Sequence, residues 1–461
     1  MKRDSFFRFI IVFIVLLFVV NHISNAQIVV STLVGDDSEG SLIAAIKSAN
    51  AQNSDPAKPV TVGFAENLSG EIVLSLDLPA IENHVSIAGN MAADGKPAIT
   101  INGSVNPSVN GGIMGGVSPG FSLFHITPGK TLSIENLHLT KSNKTGIINE
   151  GGTLSVKNCM FTYNLGIGSI HGTAGAIQNE NGDLTVIGSY FYYNTGGVGG
   201  SDGGVGYGGA GGINVINGNA VVINSSFLEN EGGFGGVGVG SVGGAGVIMV
   251  RDANVSIVNC TAAGNFGGGS IVTGASGGLI LLGGNVSILQ STIVDNLAGA
   301  GIGGFGGIDF CSGGIHVLVG KLSLGGNIIT GNINGNDKAT DIESQISGEV
   351  RSLGNNLVGN VFVEMNGTGD EKGVLLKDVV VTTSEGKHKS GIVSGFLPTV
   401  ALTANSPAKN KSAGFTDISP VLSSDANSKF FTGAAGKYAS LLQADQNGKQ
   451  RTATPSIGSI E

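Results

Sequence analysis

The sequence predicts an all-β protein, a parallel β-helix with about three short strands per coil and a short N-terminal capping helix. Three observations carry this. A Phe-x-x-Asn phrase recurs as FTYN (161–164), FYYN (191–194) and FLEN (227–230). Around it, apolar residues hold fixed offsets through six consecutive units. Between units run glycine tracts such as GGVGGSDGGVGYGGAGG (196–212), in a chain of 461 residues with 79 glycines and no Trp.

In chain order, residues 1–26 read as a secretory signal. Lys2, Arg3 and Arg8 precede the apolar run 10–20, and Ser24-Asn25-Ala26 offers a small-x-small cleavage site before Gln27. The run is shorter than the ~20 residues a spanning helix needs, and no later segment is apolar enough to span. The segment SEGSLIAAIKSANAQ (38–52) predicts the capping helix, with Ser41 as N-cap and Leu42, Ile43, Ile46 and Ala49 on one apolar stripe. Strand-like segments at 60–64, 71–76, 84–88 and 97–102 begin the coil. The expected organisation is cap and first coils over 27–130, regular repeats over 131–333, and irregular last coils with a C-terminal cap over 334–461.

The regular repeats align on Asn164, Asn194, Asn230, Asn265, Asn296 and Asn332. Ten residues before each stand Leu154, Leu184, Ala220, Val255, Val286 and Leu322; eight before stand Val156, Val186, Val222, Ile257, Ile288 and Leu324. Mostly small polar residues separate them, the period-two alternation of a half-buried strand. Three before each Asn come Phe161, Phe191, Phe227, Ala262, Ile293 and Ile329. Repeats of this length mean stacked supersecondary units. Helical repeats are excluded by the glycine tracts, since each Gly costs ~1 kcal/mol in a helix. The Phe residues are expected to form one interior column. The Asn residues are expected at a corner, in the left-handed conformation that Asn tolerates, with amides bonded to backbone or to the Asn above. The glycine tracts are expected to bulge out as loops of variable length, since lengthening a loop costs only a few tenths of a kcal/mol.

Composition limits function. Formal charge is −9, and removing residues 1–26 takes away three positive charges and one negative, leaving −11. This disfavours nucleic acid and anionic membranes as partners. Cys159, Cys260 and Cys311 are too few for a disulfide framework. Cys159 and Cys260 share the slot five before the Asn, three coils and roughly 14 Å apart, beyond the ~7 Å a disulfide allows; they read as small buried residues.

Three stretches resemble a known group. GDDSEGSLIAAIKSANAQ (35–52) is similar to the opening of many bacterial secreted β-helix proteins. SLGNNLVGN (352–360), ANSPAKNKSAG (404–414) and DQNGKQRTATPSIGSIE (445–461) resemble the close of the same group, the choice-of-anchor Q domain family. The Gly-Gly-Ala-Ile and Phe-x-x-Asn pair resembles the repeats of polymorphic outer-membrane proteins. The resemblance implies a right-handed β-helix, export, and a place on the cell surface or outside. This sequence departs in its closing motif, where the family's Ser-Pro-Ala-Ile-Asp-Ala-Gly appears as Ser406-Pro407-Ala408-Lys409-Asn410-Lys411-Ser412-Ala413-Gly414, with the Asp missing.

Right-handed β-helices include pectate-lyase-like and polygalacturonase-like enzymes, whose chemistry needs carboxylates and a base clustered on adjacent coils. From 151 to 333 the basic residues are Lys157, Arg251 and Lys321, and Asp183, Asp202, Asp252, Asp295 and Asp309 are scattered. Asp295 and Glu229, each beside a corner Asn, read as solvated turn residues. The histidines His84, His125, His138, His171 and His316 share no spacing with a nucleophile. GVGSVG (238–243) lacks the βαβ context of a dinucleotide fold, and GGVGGSD (196–202) and GGFGGID (303–309) lack the consecutive copies of calcium nonapeptides. No catalytic, cofactor or metal residues are assigned. Tyr192, Tyr193 and Tyr207 are the candidate ligand-facing residues, with Tyr190 beside them. The expected function is an exported, non-catalytic adhesion or binding scaffold whose partners are glycans or host or cell-surface proteins; the alternative is a polysaccharide-active β-helix enzyme.

Overall fold

The computed structural model describes residues 27–103, 121–200, 205–270, 273–299, 311–334, 342–344, 349–361, 363–394, 397–411, 443–446, 449–451 and 456–459. The expected signal sequence lies outside these residues.

The chain is a right-handed parallel β-helix. One coil shows the plan: strands Ile177–Glu180, Asp183–Ile187 and Tyr190–Tyr192. The first two strands of every coil join a 17-stranded sheet, and the third joins an 11-stranded sheet. Pairing is parallel and in register, so like residues stack. Leu154 lies on Leu184 and Leu184 on Ala220; Val156 lies on Val186 and Val186 on Val222. Helix α1, Leu42–Asn50, covers the N-terminal end; Ser41 Oγ accepts from the Ala44 N–H, and Leu42, Ile43, Ile46 and Ala49 are buried.

Phe161, Phe191 and Phe227 form one interior column. Their rings stack at 4.8 and 4.5 Å with interplanar angles of 2° and 10°. Each contributes about 1.5–3 kcal/mol through burial, and stacking adds about 0.5–1.5 per pair. Ala262 ends the aromatic run, and a cavity of about 20 Å³ lies between it and Phe227.

The six asparagines are fully buried. In the first five, Nδ2 donates to the Oδ1 of the Asn in the next coil, at 2.9, 2.9, 2.9, 2.8 and 2.8 Å from Asn164 to Asn332. The same Oδ1 atoms accept from the backbone N–H of the Asn below. The second Nδ2 proton goes to a carbonyl of the preceding coil, Phe161 O for Asn194 and Phe191 O for Asn230. The left-handed residue is not the Asn, as expected, but the one before it: Tyr163, Tyr193, Glu229, Gly264, Asp295 and Gly331 all have φ between 52° and 72°. With its backbone relieved of the turn, the Asn points its amide inward, where every polar atom finds a partner. Cys159 and Cys260 share a second ladder. Their N–H groups donate to Ser189 and Ser291 Oγ, each at 3.2 Å. Burial pushes both free thiols up to about 12, so neither forms a thiolate readily.

The glycine tracts depart from the expectation of slack loops. Each leaves the corner as an outgoing limb and returns beside it. Outgoing limbs stack in parallel register, Leu165 on Thr195, Thr195 on Glu231 and Glu231 on Phe266. Returning limbs do the same, Tyr207 on Val242 and Val242 on Thr273. Cross-bonds knit the limbs together: Gly197 N to Thr173 O, Gly209 N to Gly197 O, Gly233 N to Gly209 O and Gly244 N to Gly233 O, all 2.8 Å. A Cβ on Gly209 would lie 1.8 Å from Thr173 O, and one on Gly244 1.8 Å from Gly209 O. Glycine is required because backbone packs on backbone. The tracts form a glycine blade along the helix.

The described residues beyond Leu376 lie along the flank of the 11-stranded sheet, where a C-terminal cap was expected. Ser226 Oγ donates to Pro398 O at 2.7 Å, Thr261 Oγ1 to Gln446 Oε1 at 2.6 Å, and Arg451 Nη2 to Asn259 Oδ1 at 2.8 Å. Val379, Val380, Val400 and Ile457 join the outward Leu228, Ala263, Val294 and Ile328 in a second apolar core.

Candidate binding site

The site grows from the corner that precedes each Asn. Three sets of turns in this molecule use left-handed residues. Where the two strands of the long sheet meet, the non-glycine ones are Asn181, Asn217 and Asp252; where that sheet meets the shorter one, they are Asn136, Asn158, Asn224, Asn259, Gln290 and Asn355. Asn and Asp enter this conformation cheaply. The third corner instead carries Lys141 (φ 55°), Tyr163 (φ 56°), Tyr193 (φ 52°) and Glu229 (φ 52°) in successive coils. Such residues pay of order 1 kcal/mol each for the same geometry.

That geometry turns their side chains outward. Tyr163 and Tyr193 are 38% and 44% exposed, with rings stacked at 5.5 Å and 4°. Tyr192 stands edge-on to both, at 6.1 and 4.4 Å. Tyr190 stacks on Tyr192 and leans on the flank core. The Glu229 carboxylate bonds the Tyr193 phenol and pushes its pKa upward; burial first, then Glu229, raises that of Tyr192. Two residues further along the chain, Leu165, Thr195, Glu231 and Phe266 run parallel to this column at the foot of the blade, with Glu231 exposed and Phe266 45% exposed.

The next corner is Gly264. A Cβ there would lie 3.0 Å from His388 Cε1 and 3.7 Å from Glu229 Cγ, so the His388 imidazole fills the missing side chain's place. His388 Nδ1 lies 2.9 Å from Asp295 Oδ2, which also accepts the His388 backbone N–H at 3.0 Å. Asp295 is therefore no solvated turn residue; its side chain is 11% exposed. Glu229 is half-buried against Tyr193. At Gly331 the Leu376 side chain takes the same kind of notch.

Of the three tyrosines singled out from sequence, the structure brings Tyr192 and Tyr193 together and sets Tyr207 apart. Tyr207 lies in a returning limb of the blade, where His171 stacks on its ring at 5.0 Å and the Arg251 guanidinium lies over it at 5.5 Å. Tyr163 was missed. Its signal is the slot before the Asn, where two glycines among six residues mark a left-handed position. His138 is outward, as expected; Nε2 pairs with Thr162 Oγ1 at 2.8 Å and Nδ1 with Thr100 Oγ1 at 3.3 Å. Among the described residues no group of three or more His, Cys, Asp or Glu side chains is placed to hold a metal ion.

No family model and no curated protein matches the chain. A crystal structure of pectate lyase Pel9A is similar over 95% of this chain and 97% of that one, at 13% identity and a TM-score of 0.39. At that level the likeness bears on neither site nor chemistry; both rest on the register and contacts above.

Proposed function

We propose that the chain is an exported, non-catalytic β-helix scaffold that binds a glycan outside the cell through the Tyr163–Tyr193 strip. One observation carries this reading. Tyrosine and glutamate occupy a left-handed corner at energetic cost, where Asn or Gly would turn the chain freely, and the outcome is a pair of aligned, exposed aromatic rings. Flat rings beside hydrogen-bonding carboxylate and phenol groups suit the apolar faces and hydroxyls of a sugar. The rings stand at a corner whose backbone is held by the buried Asn ladder one residue on, so binding requires little reordering.

The test is glycan binding by the purified chain and by a Tyr163→Ala/Tyr193→Ala variant. The variant is expected to fold, since both side chains face solvent, and to lose binding at least about tenfold, ~1.4 kcal/mol. Unchanged binding in the variant refutes the site. Cleavage of the bound glycan by the unmodified chain supports instead the polysaccharide-active enzyme.

A further inference from the structure

We propose that Tyr163 and Tyr193 form an oxidative modification site, at which hydrogen peroxide and a haem peroxidase couple the two phenols into a dityrosine that staples neighbouring coils. Four of the six tyrosines in the chain, Tyr163, Tyr190, Tyr192 and Tyr193, gather here. Register brings the outer two together. They occupy one slot in successive coils, with rings 5.5 Å apart at 4° and exposures of 38% and 44%. Lys141 precedes them at the corner and Glu229 follows, so two phenols stand side by side between them. Tyr192 and Tyr190 continue from Tyr193 at 4.4 and then 5.6 Å, a ring-to-ring path along which an electron vacancy can move.

The rest of the chain competes poorly for a one-electron oxidant. Trp is absent, and the three thiols are buried. Methionine takes an oxygen atom from peroxide instead and becomes a sulfoxide. Among the described residues no second tyrosine ring lies against Tyr207, whose neighbours are His171 and Arg251. A phenol must shed its proton as it gives up an electron, and the Tyr193 hydroxyl already donates to the Glu229 carboxylate. Tyr163 gives its proton to water. Each ring thus loses one electron to the peroxidase and one proton. The two radicals join through a new bond between ring carbons ortho to oxygen; the ortho hydrogens move to the oxygens, and both phenols are restored. Two hydrogen atoms leave the protein, and hydrogen peroxide takes them up as two waters. Exposed side chains turn quickly enough to meet, while the buried Asn ladder one residue on holds their backbones in adjacent coils.

In the experiment the purified chain, without glycan, is treated with hydrogen peroxide and a haem peroxidase. The products are separated by size, read for dityrosine fluorescence and digested for mass spectrometry. The expected product is a monomer, two hydrogens lighter, whose digest contains peptides joined at Tyr163 and Tyr193. Its urea midpoint rises, because the link closes a loop in the unfolded chain. Tyr163→Phe and Tyr193→Phe keep the rings, and each abolishes the link. Glu229→Gln leaves a weaker proton acceptor and slows coupling about tenfold. Links confined to pairs of chains, or to Tyr192 and Tyr193, overturn the assignment, as does a product that gains only oxygen. Coupling in Glu229→Gln as fast as in the unmodified chain overturns it as well, since the proton acceptor is then dispensable.

Discussion

Replacing Gly209 by Ala separates a packed glycine blade from a slack loop by the sign of the effect. Gly209 does not sit at positive φ. In a free loop, Gly→Ala at such a position stabilises by about 0.4–1 kcal/mol, because the unfolded chain loses freedom. In the blade the new Cβ would lie 1.8 Å from Thr173 O and 2.4 Å from Thr173 C, so the limbs must part by more than 1 Å to restore van der Waals contact. Three 2.8 Å bonds meet there: Gly197 N to Thr173 O, Gly209 N to Gly197 O and Gly233 N to Gly209 O. At 0.5–1.5 kcal/mol each, their loss costs about 3 kcal/mol and outweighs the entropic gain. Gly168→Ala is the control, since its Cβ would lie 3.4 Å from Val198 O in ordinary contact. Urea unfolding of the three proteins measures the difference. Destabilisation of Gly209→Ala by about 2–3 kcal/mol with Gly168→Ala near neutral is expected; a stabilised Gly209→Ala would show that the limbs are not locked.

Four further outcomes are expected. Phe191→Ala, which breaks two ring stacks, costs about 4–5 kcal/mol, more than Phe161→Ala with its single aromatic neighbour, as measured by denaturant midpoints. Ala262→Val fills part of the 20 Å³ cavity beside Phe227 and raises stability by up to about 0.5 kcal/mol on the same assay. Asn230→Ala strands the Asn194 N–H and one Asn194 Nδ2 proton in the core and lowers stability by about 3 kcal/mol, read as faster amide exchange in both adjoining coils. Burial, the largest cause, lowers the His138 pKa to about 4 from the 6.5 of an ordinary imidazole. The unfolded chain therefore holds the extra proton between those values, and stability falls as pH drops from 6.5 toward 4, by up to about 3 kcal/mol. His138→Gln flattens that part of the pH–stability curve relative to the unmodified chain.

The coil period was legible because inward residues must stack on their equivalents, and the offsets from Asn164 to Asn332 state that directly. Three-strand coils, the capping helix at Ser41 and the Phe column follow from local pattern. What escaped depends on partners distant in sequence. Nothing within 196–212 says that its glycines meet the carbonyls of Thr173 and the amide of Gly233. Asn was placed in the turn because it tolerates left-handed backbone, yet a buried amide ladder uses it better one residue on. Asp295 looked solvated because His388, 93 residues away, is what covers it. Tyr163 and Tyr193 share one phrase slot, but their alignment shows only once the coils are laid on each other.

A blade held by amide groups owes nothing to the identity of the residues at its rim. The side chains of Ile170, Val205 and Val239 project there at 57%, 46% and 87% exposure, and where Ile170 joins the limbs it does so through its backbone carbonyl, which accepts the Gly200 N–H. Their replacement should leave coil and limbs untouched. The molecule thus combines an inert stem with an editable fringe, so that what the rim recognises is free to drift while the architecture beneath it stays fixed.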